Sequence, residues 1–167
     1  MAMEGRIPMT RGGAIALKNE VKRLKAVERP KVIAALAEAR GHGDLSENAD
    51  YEAAKDRQAF IEGRIADIEH KLTQMDIIDV AKLSGNKVLF GATVTLEDED
   101  GARLVYQVVG DLEADLKKGR ISVSSPIARA LIGREEGETV TVRGPKGGGK
   151  DYEIIAVEFR DDQVVEE

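Results

Sequence analysis

The chain has no cysteine, no tryptophan and only two histidines in 167 residues. Without cysteine, disulfides and thiolate metal sites are excluded. His42 and His70 alone are too few for an all-protein zinc centre. Aromatic residues make up 4% of the chain, so a core must be mostly aliphatic. A proline-binding pocket, which normally needs an aromatic lining, has little to draw on. No run of apolar residues approaches the 18 or so that cross a bilayer. Met1 to Arg11 lacks the apolar stretch of a secretory signal. These absences predict a soluble, cytoplasmic protein. Positive charge is also in deficit, with 25 Lys and Arg against 31 Asp and Glu, for a net charge of −6. That balance argues against a protein that wraps duplex DNA with a broad basic face, though it leaves room for a small basic patch.

What is present falls into two halves with different periods. Hydrophobic residues are 42% and charged residues 34% of the chain, as expected where long helices expose most of their faces. Ala14 to Arg40 is helical in pattern: Leu17, Val21 and Leu24 recur at gaps of four and three, and Val32, Leu36 and Ala39 resume after a phase shift. Pro30 predicts a kink there, because proline removes one backbone donor and crowds the preceding turn. Tyr51, Ala54, Gln58, Ile61, Ile65, Ile68, Leu72 and Met75 form a second, cleaner seam of coiled-coil type. The short connection makes the two helices antiparallel neighbours, with 27 helical residues spanning roughly 40 Å. The seam thins toward the connection, at Ala39, Tyr51 and Ala54. A lone helical hairpin would serve as a plain scaffold, but one seam cannot close a globular core.

After Asp79 the period becomes that of strands. Ala92 to Glu97 and Arg103 to Val109 read as a hairpin around Asp100-Gly101. Ile121 to Val123 is a short strand. Ser125-Pro126 opens a helix that Gly133 ends. Thr139 to Arg143 and Tyr152 to Phe159 are two further strands. The expected class is α+β: a long antiparallel coiled-coil hairpin over residues 1–82, then a compact α+β domain over residues 83–167, with the link near Lys82 to Asn86.

The chemistry concentrates in the connection of the hairpin, Gly41-His42-Gly43-Asp44-Leu45-Ser46-Glu47-Asn48-Ala49-Asp50-Tyr51. Asp44 and Glu47 match a capping box for the second helix. A calcium loop is a poor match, because Ala49 stands where the turn glycine belongs and Lys55 where the bidentate glutamate belongs. A His42-Asp44-Glu47 metal site is equally weak. Two carboxylates at the end of a slim rod have a further use. Alone they would bind Mg²⁺ poorly, since Mg²⁺ keeps its water and prefers phosphates beside one or two carboxylates. Next to a phosphate-bearing site that already holds one metal, they could complete a two-metal arrangement for phosphodiester cleavage. Arg40, Lys55 and Arg57, with Arg29 and Lys31 further back, offer a basic strip for a nucleic-acid 3′ segment, or else a solvated face with local pairs such as Asp50 to Lys55. Gly144 to Asp151 imitates a phosphate-binding loop but puts Asp151 where Ser or Thr should hold Mg²⁺, and lies between strands, so an NTPase is rejected.

The stretch from Ala37 to Arg40 and from Gly43 to Tyr51 resembles the tip of bacterial transcript cleavage factors of the GreA/GreB type. Ile7-Pro8-Met9-Thr10, Phe90-Gly91-Ala92-Thr93-Val94 and the run from Ile121 to Gly133 carry the same resemblance, in order along nearly the whole chain. Asp44-Leu45 and the near-neutral helix flank favour the GreA side of that family. The resemblance implies an FKBP-like second domain docked at the rim of the secondary channel of bacterial RNA polymerase, with the coiled coil entering the channel. It implies that Asp44 and Glu47 act within the polymerase active site and share Mg²⁺ with it, no metal being bound by the free protein. Arg40 and Lys55 correspond to a basic patch that contacts the 3′ end of backtracked nascent RNA. The factor would then be a monomeric cofactor of the polymerase's own RNA cleavage, rescuing arrested complexes, with no small-molecule substrate and no membrane partner. Lys55 replaces an expected arginine and offers a point charge in place of a fork. Residues before Ile7 and after Phe159 read as private extensions. Two rivals remain: a channel-binding regulator without cleavage activity, and, from the second domain, a prolyl isomerase or chaperone.

Overall fold

A computed structural model describes residues 6–42, 48–144 and 147–160, apart from the side chains of His42 and Asn48. The chain is α+β. Contacts divide it into one unit over Ile15–Gln74 and another formed by the residues up to Ala14 together with those from Met75 onward. The boundary expected near residue 82 therefore differs from the one the contacts draw. The reason is a pair of short strands that the periodicity does not reveal.

Strand β1 (Ile7–Thr10) pairs in parallel with β2 (Met75–Ile78), in the register Ile7 with Met75 and Thr10 with Ile78. Met75, assigned by its spacing to the helical seam, is buried in this strand instead. Pro8 fits a two-stranded sheet because every strand there is an edge.

The helical unit begins within α1 (Arg11–Arg23) and continues through a π-helical turn at Leu24–Glu28 into α2 (Arg29–His42). Where Pro30 predicted a kink, the structure has this π turn just ahead of it. The amide of Arg29 donates to the carbonyl of Leu24, five residues back. A wide turn just ahead of the proline relieves the clash that a tight i−4 turn would impose. The partner helix, α3, covers Asn48–Thr73. Val21, Leu24 and Val32 bury against Ile61, Ile65 and Ile68, flanked by Leu17 and Leu72. Toward the connection the seam holds one buried residue, Leu36, and otherwise half-buried Ala39, Tyr51, Ala54 and Gln58, so it thins as the small residues there require.

The other unit is built on a five-stranded sheet of order β5-β4-β3-β7-β6. Its strands are β3 (Thr93–Asp98), β4 (Arg103–Val109), β5 (Arg120–Ser122), β6 (Thr139–Arg143) and β7 (Gly149–Glu158). All neighbours are antiparallel except β4 and β5. Helix α4 (Pro126–Leu131) has Ser125 as its N-cap, whose hydroxyl accepts from the amide of Ala128 at 3.3 Å. Leu131 and Ala128 of this helix close the core over Val94, Leu96, Val108 and Ile154, all fully buried. The β3–β4 turn is organised by Asp98, whose carboxylate accepts from the amides of Asp100 at 3.0 Å and Ala102 at 2.9 Å. Gly101, at φ +83°, supplies the left-handed position. Gly144 and the residues from Gly147 to Asp151 lie in the β6–β7 hairpin, where Asp151 accepts from the hydroxyl of Thr141 at 2.6 Å and Lys150 pairs with Asp98 at 3.5 Å.

Candidate functional site

Asp44 and Glu47, the acids singled out in the sequence, lie outside the described residues, as does the capping box they would form. The helix ends on either side are described, and they bring the two expected basic residues together. Arg40, on α2, and Lys55, on α3, both sit over the ring of Tyr51, at 5.7 and 5.5 Å from its centroid. Those distances are within reach of attraction between a cation and an aromatic face. An Arg40 guanidinium nitrogen also lies 3.5 Å from the Tyr51 hydroxyl, at the long limit for a hydrogen bond. The phenol is pushed below its ordinary range, first by the Arg40 hydrogen bond and then by the charges of Arg40 and Lys55. Tyr51 entered the sequence reading as a seam residue and as the last residue of the hairpin's tip segment, with no role of its own. Its spacing of four from Lys55 is the one signal that could have placed the pair on a common face. Its approach to Arg40 depends on how α2 and α3 meet.

The longer basic strip is largely committed elsewhere. Arg29 makes a two-pronged pair with Glu62, at 2.6 and 2.8 Å, and Arg57 donates to Glu28 at 3.2 Å. Glu62 and Glu28 are both held below the usual carboxylate range, chiefly by the hydrogen bonds from Arg29 and Arg57 respectively. Arg64 pairs in the same way with Glu20, at 2.8 and 3.0 Å. These links fasten α3 to the first helical arm of the hairpin, from α1 through the π turn to α2. They leave Arg40 and Lys55 as the cations gathered next to the acidic segment. Between the Arg57 links and that end, small Ala35 and Ala54 leave a hollow of about 190 Å³, also lined by Lys31 and Val32.

The connection between β4 and β5 carries two more acids in defined settings. Asp111 accepts from the hydroxyl of Ser122 in a short contact and from Ser124 at 2.7 Å. These two bonds, Ser122 first, lower its carboxyl below the usual range. They tether the segment that leads into α4. Glu113, with its side chain 2% exposed, receives the amides of Thr10 at 3.0 Å and Gly110 at 2.9 Å, the hydroxyl of Thr10, and the guanidinium of Arg120 at 3.0 Å. The Thr10 hydroxyl in turn accepts from the amide of Gly13 at 3.0 Å, which caps α1. Glycine is needed at position 13, since a Cβ there would collide with the Glu113 carboxylate.

With that geometry in place, the comparisons with known proteins are direct. Residues 7–77 match the model of the family described as "Transcription elongation factor, N-terminal", and residues 83–159 that described as "Transcription elongation factor, GreA/GreB, C-term". A protein of Anaeromyxobacter sp. (strain K) named transcription elongation factor GreA is 60% identical over 160 residues, covering 95% of this chain and 96% of that protein. One of the same name from Thioalkalivibrio sulfidiphilus (strain HL-EbGR7) is 62% identical, covering 91% and 97%. A third, from Caulobacter sp. (strain K31), is 61% identical over 92% of this chain and 98% of its own. The chain belongs to the GreA/GreB family of transcription elongation factors.

Proposed function

We propose that this elongation factor enters the secondary channel of bacterial RNA polymerase with its hairpin and presents Asp44 and Glu47 to the polymerase active site. There the two carboxylates assist the polymerase in hydrolysing backtracked RNA, and the factor is a cofactor of that reaction rather than the enzyme. The observation that carries the reading is the Arg40–Tyr51–Lys55 cluster. It gathers two cations at the helix ends that adjoin the acidic segment, where an extruded RNA 3′ end needs its phosphates held.

The donor chemistry fits Mg²⁺, a hard cation that takes one or two carboxylates and completes its shell with water and phosphate. Two carboxylates fill only part of the Mg²⁺ shell, so Asp44 and Glu47 would share the ion with ligands from the polymerase and the RNA. Bound there, Mg²⁺ supplies charge stabilisation and an activated water. The chain's own part is to deliver the carboxylates, orient them and grip the RNA.

The test is RNA release from a stalled, backtracked elongation complex in Mg²⁺, with and without the factor. New short 3′ fragments that are lost with Asp44→Ala or Glu47→Ala, while polymerase binding persists, are the expected result. Fragments undiminished in both variants would overturn the role of the carboxylates. Slowed elongation without fragments would mark a channel-binding regulator instead.

A further inference from the structure

A pocket of about 270 Å³ opens on the sheet of the C-terminal unit, lined by Thr93 of β3, Val105 and Gln107 of β4, Lys118 and Arg120 at the entry to β5, and Arg160 beyond β7. Its lining contains three cations and no acid, in a chain whose net charge is −6. Arg120 is the unusual member. It is only 6% exposed, and its charge partner, Glu113, meets it at a terminal nitrogen at 3.0 Å. Its Nε is buried without a hydrogen-bond partner among the described residues. Guanidinium carries five donors, and a buried cation is stable only when its donors are answered. Glu113 cannot answer more of them, since its two oxygens already serve Thr10 and Gly110.

The other walls suit an anion of a particular kind. Lys118 forms no ion pair among the described residues. Arg160 pairs with Glu158 at 3.1 Å, but both side chains are about half exposed, and such surface pairs exchange readily. Gln107 ties the Arg160 carbonyl to the wall through its amide nitrogen at 3.4 Å. Val105, 48% exposed, adds an apolar side. A carboxylate has two oxygens and one charge. A phosphate monoester has three terminal oxygens and nearly two charges, and can meet a lysine and two arginines from different sides. The volume lies just below the roughly 300 Å³ at which ordinary small-molecule sites begin, enough for the phosphate and the first part of what it esterifies.

We propose that this pocket binds the terminal phosphate of a small phosphorylated ligand of nucleotide type, with Arg120 at its inner end and Lys118 and Arg160 at its mouth. The site does not depend on the acids of the hairpin or on the cleavage reading. Because Arg120 also holds Glu113, occupancy should be felt at the amides of Thr10 and Gly110.

The experiment titrates the full chain at low ionic strength with a nucleoside 5′-monophosphate, with the matching nucleoside, and with a single-stranded oligonucleotide lacking terminal phosphates. Calorimetry gives affinity and amide chemical shifts give the place. The expected result is saturable binding of the monophosphate with shifts at Gln107, Gly119 and Arg120, little binding of the nucleoside, and at least about fivefold weakening by Lys118→Ala and by Arg160→Ala. Both substitutions are at the pocket mouth, so each variant should keep its fold, which the same spectra check. Unchanged affinity in both variants, or shifts confined to the Arg40 and Lys55 region, would overturn the site. Equal binding of the nucleoside would overturn the phosphate as its determinant. Tighter binding of the oligonucleotide would overturn the small ligand in favour of a nucleic-acid strand.

Discussion

The hairpin and the sheet unit bury apolar surface in different ways. In the hairpin a single row of aliphatic side chains is buried, and Val27, Ile33 and Phe60 remain 50%, 52% and 64% exposed. The remaining fastening includes ion pairs between the two arms, Lys25 with Glu69, Arg29 with Glu62, Arg57 with Glu28 and Arg64 with Glu20. In the sheet unit the core closes on all sides, and a buried ion pair, Glu113 with Arg120, is locked into backbone donors. A one-row seam has few shared neighbours, so damage should stay local. A closed core shares every neighbour, so damage should spread. The hairpin can thus be slim because it delegates little to depth, and its packing thins toward the end that would carry the proposed site.

Removing Glu113 should break this contrast most severely. Glu113→Ala strands a buried guanidinium and several amide donors, at an expected cost of about 3–5 kcal/mol, read by denaturant unfolding of the sheet unit. A loss no larger than that of an exposed pair would refute the assignment of Glu113 as its anchor. Next come the apolar cores. Leu131→Ala, at a fully buried site, and Ile61→Ala, at 1% exposure, should each cost about 2–5 kcal/mol. The distinguishing readout is hydrogen exchange: the first should loosen amides throughout the five-stranded sheet, the second only those of α3 and its facing turns. Spread of the Ile61 effect along the whole hairpin would show that the seam is cooperative after all.

A smaller, pH-dependent effect is expected at Asp111. Its carboxyl is lowered in the folded protein by Ser122 and Ser124. A depressed folded value means the bonds stabilise at neutral pH, and that this contribution is lost as pH falls through about 4 and below. Asp111→Asn should therefore be less stable than the parent at pH 7, with the gap shrinking in acid. A gap constant from pH 7 to pH 3 would rule the charge out. The smallest effect belongs to Arg29→Ala. Its pair with Glu62 is short but solvent-exposed, with the side chains 35% and 43% accessible, and screened pairs of this kind contribute little. The thermal midpoint should hardly move, and 1 M salt should erase what difference there is. A large shift would mean that ion pairs, not the seam, hold the hairpin. Tyr51→Ala offers a functional counterpart: losing the ring that Arg40 and Lys55 share should reduce stimulated RNA cleavage several-fold, while Tyr51→Phe, which keeps the face, should come close to the parent. Equal losses would shift the role to the hydroxyl.

Much of this architecture is legible in the sequence. Ile61, Ile65 and Ile68 announced their buried row by spacing. Ser125-Pro126 and Gly133 bracketed α4, and the strands from β3 to β7 fell within a few residues of their expected places. Other features left no local trace. Strands β1 and β2 are four residues each, lie far apart in the chain and pair in parallel, so neither shows a repeat long enough to detect. Pro30 predicted a kink and the chain has a π turn beside it, because whether a helix kinks or widens depends on what packs around it. Asp111 and Glu113 were ordinary acids in a connecting segment until Ser122, Ser124, Thr10 and Arg120 were placed against them.

By itself, then, the sequence determined the long helices, the strands of the five-stranded sheet, their order and the residue types at the hairpin's end, because these rest on periods and capping signals a few residues long. Only the tertiary structure decided which charges are spent and which are gathered. It set Arg29 and Arg57 against distant glutamates and put Arg40 and Lys55 on one tyrosine. It also buried Arg120 with a single carboxylate on one edge and a pocket beside it. Those outcomes depend on contacts between residues far apart in the chain, where Coulomb and desolvation energies are set by distance and burial that no local pattern records.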